Sequence, residues 1–218
     1  MKKLLKLSTL LISAALIFTS CGPKNTEEDG LPGHWTSNPG FYDSWNKDGW
    51  TLNNNKVCYT CNDVSNITEN KVATRTLGVI PDDVYGVHVK IKQQNFTDAE
   101  CGIRLFVSDD TASYYELLFW KGSYTLIEQL SGQEKNILSK NGEYSNIWND
   151  AINEEGQEND VLFYSDGKYL VLNVNGVEVK TIERKLESGK CRTLMSIPHG
   201  ATTPINVNWN FVEFQTAK

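Results

Sequence analysis

Two neighbouring runs of this chain carry residues of types that suit ligand binding. In residues 113–120, alternation sends Tyr115, Leu117 and Phe119 one way and Tyr114, Glu116, Leu118 and Trp120 the other. In residues 101–107, Arg104 and Phe106 share the face opposite Ile103 and Leu105. If the second set lines a binding surface, Arg104, Tyr114, Glu116 and Trp120 meet on one face. Sugars suit this mixture: rings to stack on, and a few fixed polar groups for hydroxyls. A plainer reading stands beside it. Trp120 then merely ends a strand, and Arg104 and Glu116 form a cross-strand ion pair.

Other catalytic chemistry lacks its residue pattern. A retaining glucanase needs two carboxylates aimed into one cleft, one as nucleophile and one as acid. No strand carries acids at the E-x-D-x-(x)-E spacing that would aim them so. Glu154, Glu155, Glu158 and Asp160 are dense, but they precede a strand and read as solvated charge. No G-x-S-x-G elbow and no phosphate-cradling glycine loop occurs. Of His34, His88 and His199, His88 falls on the polar side of a strand and is expected to face solvent, and His199 lies in a loop. No cofactor is expected. Asp109-Asp110 and Asp166-Gly167 offer oxygens of the kind calcium takes, yet turn chemistry accounts for them.

The start of the chain reads as a targeting segment. Lys2, Lys3 and Lys6 precede an apolar run over residues 7–18 that is too short to span a bilayer comfortably. Small residues then lead to Phe18-Thr19-Ser20-Cys21, which resembles a bacterial lipoprotein signal, with Phe18 where leucine is usual. That resemblance implies cleavage before Cys21 and its acylation, palmitate included. Several acyl chains hold a protein to a membrane lastingly, which one does not. The expected order is a signal peptide over 1–20, a lipidated Cys21 with a tether over 21–40, and one domain over 41–218. The expected place is the bacterial cell envelope, at the outer membrane or the cell surface.

Export makes disulfides the default for Cys58, Cys61, Cys101 and Cys191. Four cysteines allow three pairings, and spacing does not choose among them. We expect Cys101–Cys191 as a link between strands and Cys58–Cys61 as a local loop. Cys58-Tyr59-Thr60-Cys61 has redox spacing, but no helix pattern follows it, and no second close pair suggests zinc.

The elements that must position these residues are strands. Hydrophobic alternation marks residues 83–92, 101–107, 114–120 and 124–130, with a short strand near Ile137. Strands over 160–164 and 169–174 flank Ser165-Asp166-Gly167-Lys168, and Asn175-Gly176 suits a type I′ turn into 177–182. Residues 191–197 and 205–214 add two more. No helical period persists after the signal, and residues 145–155 offer at most a short turn. Such a series of short strands describes an all-β antiparallel sandwich or barrel. The formal charge of −6 over 218 residues disfavours a partner bound through nucleic-acid phosphates.

The order of motifs resembles the concanavalin A-like lectin/glucanase family. Phe41-Tyr-Asp-Ser-Trp45 with Gly49-Trp50 is similar to its opening, and Tyr114-Tyr115-Glu116 to its "YY" strand. Gly167–Gly176 is similar to its "VNG" hairpin, and Asn208-Trp209-Asn210-Phe211 to its closing strand. The resemblance implies a two-sheet jelly-roll sandwich over residues 41–214. Its branches include laminin-G-like domains and the 3-keto-disaccharide hydrolase-like domain, to which Met195–Gly200 is faintly similar. The leading expectation is a non-catalytic, lipid-anchored module binding an oligosaccharide or polysaccharide. The alternatives are a glycoside-processing hydrolase and an adhesion lipoprotein with a protein partner.

Overall fold

The computed structural model describes residues 34–37, 45–47, 49–53, 56–62, 71–76, 84–94, 99–137, 146–201 and 204–216. The signal, Cys21 and most of the expected tether lie outside them. The described residues form strands and turns, arranged as two antiparallel sheets.

In chain order the strands are β1 (His34–Ser37), β2 (Trp45–Lys47), β3 (Trp50–Asn53), β4 (Lys56–Cys61), β5 (Lys71–Thr76) and β6 (Val84–Gln93). Next come β7 (Glu100–Val107), β8 (Tyr114–Trp120), β9 (Ser123–Leu130), β10 (Gln133–Asn136) and β11 (Ile147–Trp148). The last are β12 (Glu158–Ser165), β13 (Tyr169–Val174), β14 (Val177–Glu183), β15 (Lys190–Ile197) and β16 (Ile205–Thr216). One sheet runs β14-β13-β12-β6-β16-β4-β3-β2, with β1 paired to β16. The other runs β10-β9-β8-β7-β15-β5, with β11 paired to β9. Neighbours such as β6 and β16, or β7 and β15, are distant in sequence, as a jelly roll requires and a simple meander does not. β1 thus joins the first sheet from within the segment expected to be tether.

Alternation explains the core. Val87, Val89 and Ile91 point inward from β6 and Tyr115, Leu117 and Phe119 from β8, all buried. Trp209 of β16 is fully buried, stacks 5.6 Å from Trp50, and crosses to the other sheet, where Nε1 donates to the Gly102 carbonyl at 2.8 Å. Burying an indole N–H is tolerable only with such an acceptor. Asn175 (φ 52°) and Gly176 (φ 81°) make the expected turn. The Asn175 amide also donates to Ala151 O and Asn159 Oδ1, tying the 149–159 loop to this hairpin.

Several expectations are corrected. Phe106 does not share a face with Arg104. Arg192 pairs with Arg104 and Lys190 with Val107, so Leu105 and Phe106 together oppose Cys191. This β-bulge puts Phe106 at φ 58° and turns its ring into the core, 6.0 Å from Tyr115. Gly189 makes room, since a Cβ there would lie 2.7 Å from the Phe106 carbonyl carbon.

The four cysteines are thiols, in no disulfide. Register explains why Cys101–Cys191 does not form: Cys101 pairs with Met195, so Cys191 lies four residues away, about 13 Å along the strand. A bridge needs Cα atoms within roughly 6.8 Å. Cys58 and Cys61 lie in one extended strand at an odd offset and point to opposite faces, about 10 Å apart. The Cys58 thiol donates instead to Asn208 Oδ1 at 2.7 Å.

His88 is on the outer face of its sheet as expected, but it is held there. Its Nε2 lies 2.6 Å from Asp160 Oδ1 and its Nδ1 3.3 Å from Glu213 Oε1. Asp160 is therefore not simply solvated, and Glu155 is buried. Asp110 closes a turn by accepting from Ser108 Oγ and Ala112 N, while Asp109 pairs with Lys190 at 2.8 Å.

Candidate functional site: the outer face of the second sheet

β8 splits its side chains as its pattern requires, with Tyr114, Glu116, Leu118 and Trp120 on the outer face. Paired residues of adjacent strands share a face, so register alone maps this surface. One row reads Ile127, Glu116, Arg104, Arg192 from β9 to β15. The next reads Thr125, Leu118, Gly102, Leu194. At the strand end, Ser123 pairs with both Trp120 and Trp148.

Three of the four expected residues come together. Arg104 Nε lies 2.6 Å from Glu116 Oε2, with side-chain exposures of 17% and 9%. The guanidinium carbon sits 4.2 Å from the centroid of the Tyr114 ring, a cation–π contact. Tyr114 Oη donates to Gln129 Oε1 at 2.6 Å, which fixes the ring. Burial raises the Glu116 carboxyl above its ordinary range. Arg104 pulls it back, and the charges of Glu134 and Glu100 push it up again. A 2.6 Å ion pair and a raised pKa oppose each other here, and burial, the larger effect, prevails.

Trp120 is not part of that cluster. It lies four residues from Glu116, about 13 Å along the strand. Its ring is half-buried, with Lys121 Nζ 5.0 Å from the centroid. Across β9 from it, on the same face, stands a residue that alternation does not reveal. Trp148 is 58% exposed, and its Nε1 donates to Asp150 Oδ1 at 2.9 Å. Its ring lies over Gly122, where a Cβ would stand 2.7 Å away, so the turn between β8 and β9 needs glycine there. That glycine also has φ 77°, which L side chains rarely adopt.

Beside Trp120 lies a small dent at the edge of the sandwich, with room for about one water, lined inward by Ile91, Cys101 and Phe119 and outward by Lys121, Asn153 and Gln157. The wall is fixed: Asn153 N donates to Asn159 Oδ1 at 2.8 Å, and Asn159 Nδ2 to Asn153 O at 3.2 Å. Asn146 accepts from the Thr125 hydroxyl and donates to Glu100 Oε1 at 3.4 Å, so it reaches across β8 between the two ends of the face. Arg192 also escaped the sequence reading. Only the register of β7 against β15 places it beside Arg104.

The chain shares the jelly-roll fold of the lectin/glucanase type. A β-glucanase of Bacillus licheniformis matches with a TM-score of 0.50 at 12% identity, over 85% of this chain and 94% of that one. A laminarinase of Flavobacterium sp. UMI-01 matches at 0.53 and 9% identity, over 78% and 83%. The catalytic domain of an endo-1,3-beta-glucanase (laminarinase) from Thermotoga petrophila RKU-1 matches at 0.50 and 7% identity, over 79% and 82%. No family model matches the chain, and no curated protein matches it.

Proposed function

We propose that this chain is a lipid-anchored protein of the bacterial envelope whose jelly roll binds a glycan without cleaving it. One observation carries the reading: Trp120 and Trp148 bracket Ser123 in register on one sheet face. An exposed indole with a neighbouring indole offers apolar faces to sugar rings. In this reading Tyr114 and Glu116, both largely buried, do not touch the ligand. They act as positioning residues for Arg104. Titration calorimetry of the full chain against a glycan panel tests the reading. Trp148→Ala is expected to cost about 1–3 kcal/mol of binding with the melting temperature unchanged. Full affinity in a folded Trp148→Ala, Trp120→Ala double variant would reject this face.

A second reading, glycoside hydrolysis, is favoured by Glu116 alone, a buried carboxyl raised by its surroundings as a general acid would be. Release of reducing ends from a bound glycan, abolished in Glu116→Gln, would establish it over the first.

A further inference from the structure

Resting on the glycan reading above, we infer that the ligand is an acidic glycan, and that Arg192, set beside Arg104, receives its carboxylate or sulfate group. Arg104 and Arg192 are direct cross-strand partners on the outer face of β7 and β15. Like charges placed opposite one another destabilise a sheet, so the pairing needs a counter-charge. Arg104 has one, Glu116 at 2.6 Å. Among the described residues Arg192 has none. Its Nε is buried and accepted by no oxygen, and the charged group felt most closely by its guanidinium is the cation of Arg104. An unsatisfied buried donor is costly, and an N–H with an unfilled partner is a recognition element in waiting.

The chemistry of the missing partner follows from the donor. A guanidinium presents parallel N–H groups that match the two oxygens of a carboxylate or sulfate, and such charge-assisted pairs are roughly twice as strong as neutral ones. A neutral hydroxyl would leave the two cations opposed. An anion relieves that opposition. Across the sheet, Arg192 stands two strands and four residues from Trp120, roughly 16 Å away, so a short oligosaccharide reaches from the indoles to the arginine. The chain as a whole is acidic, with 27 Asp and Glu against 21 Lys and Arg, so general attraction would not bring an acidic polymer here. The affinity must come from this locus.

The test uses the full chain with matched pairs of probes. Oligogalacturonate is compared with its methyl ester, and sulfated galactan oligosaccharides with the desulfated form. The charged member of at least one pair is expected to bind about tenfold tighter than the neutral one, the value of one charge-assisted hydrogen bond. The pair that shows it identifies carboxylate or sulfate. Arg192→Gln should erase the preference while keeping binding of the neutral member. Arg192→Lys should restore part of it, and thermal melts of both show that they fold. Equal binding of charged and neutral members by the parent would overturn the acidic ligand. If Trp148→Ala then weakened both members, the glycan reading itself would stand. A charge preference that survives unchanged in a folded Arg192→Gln would overturn the role of Arg192. Binding of no probe at all would overturn both.

Discussion

Arg104 and Glu116 are bound across β7 and β8 at 2.6 Å, on the outer face of a sheet, with Tyr114 beneath the guanidinium. Ion pairs in such places stabilise little when solvent reaches them and strain the fold when it does not. This pair lies near the second limit, because burial outweighs Arg104 in setting the Glu116 carboxyl.

A pH prediction follows with a definite sign. The folded-state pKa of Glu116 is raised above its ordinary value of 4.5, so the folded protein holds this proton more tightly than the unfolded chain. The group's contribution to stability is therefore fully present below 4.5 and is lost as pH rises through the folded pKa. Urea unfolding of parent and Glu116→Gln between about pH 4 and about pH 7 should show the parent losing stability relative to the variant as pH rises. A parent that gains on the variant over that range would mean that the ion pair outweighs burial.

Gly102 should tolerate no side chain. A Cβ there would stand 1.8 Å from the Leu117 carbonyl oxygen, a backbone atom that cannot yield without parting β7 from β8. The same residue's carbonyl receives the Trp209 indole. Gly102→Ala is expected to lose more than about 3 kcal/mol in denaturant unfolding, within the range of severe core disruptions. A loss below about 1 kcal/mol would show that the strands separate easily.

The thiols should react in two classes. Burial, with the charges of Glu155 and Glu100, pushes the Cys101 thiol up to about 12, and burial alone raises Cys191 further. Because the thiolate is the reactive form, both should resist iodoacetamide at mildly alkaline pH until the protein unfolds. Cys58 and Cys61 are half-buried and should be labelled first. Peptide mapping of the native protein checks this, and early labelling of Cys101 would contradict its burial.

The lipid anchor has a direct chemical test. Phe18-Thr19-Ser20-Cys21 leads us to expect that fatty-acid label enters the parent and not Cys21→Ser, which should also retain its signal. Equal label in the two would remove Cys21 from the account.

Much of this fold was legible because burial leaves a period of two in the sequence. β8 was read at its true bounds, since each inward residue from Tyr115 to Phe119 is apolar. β4 was not, because its core residues Val57 and Tyr59 alternate with lysine, cysteine and threonine behind three asparagines. The bulge at Phe106 broke the period without a glycine to announce it, so face assignment failed there by one residue. Long-range register is absent from local pattern altogether. For that reason local pattern neither excludes a Cys101–Cys191 pairing nor reveals the Arg104–Arg192 neighbourhood. Trp148 was missed because a two-residue strand has no period to read.

The six tryptophans provide the measurement closest to the central claim, through their indole N–H signals in a two-dimensional nitrogen–proton NMR titration. On addition of a bound glycan, the signals of Trp120 and Trp148 should move together and saturably. Those of Trp50 and Trp209, buried between the sheets, should stay in place. Saturable binding that leaves Trp120 and Trp148 unmoved would place the glycan elsewhere and contradict the account.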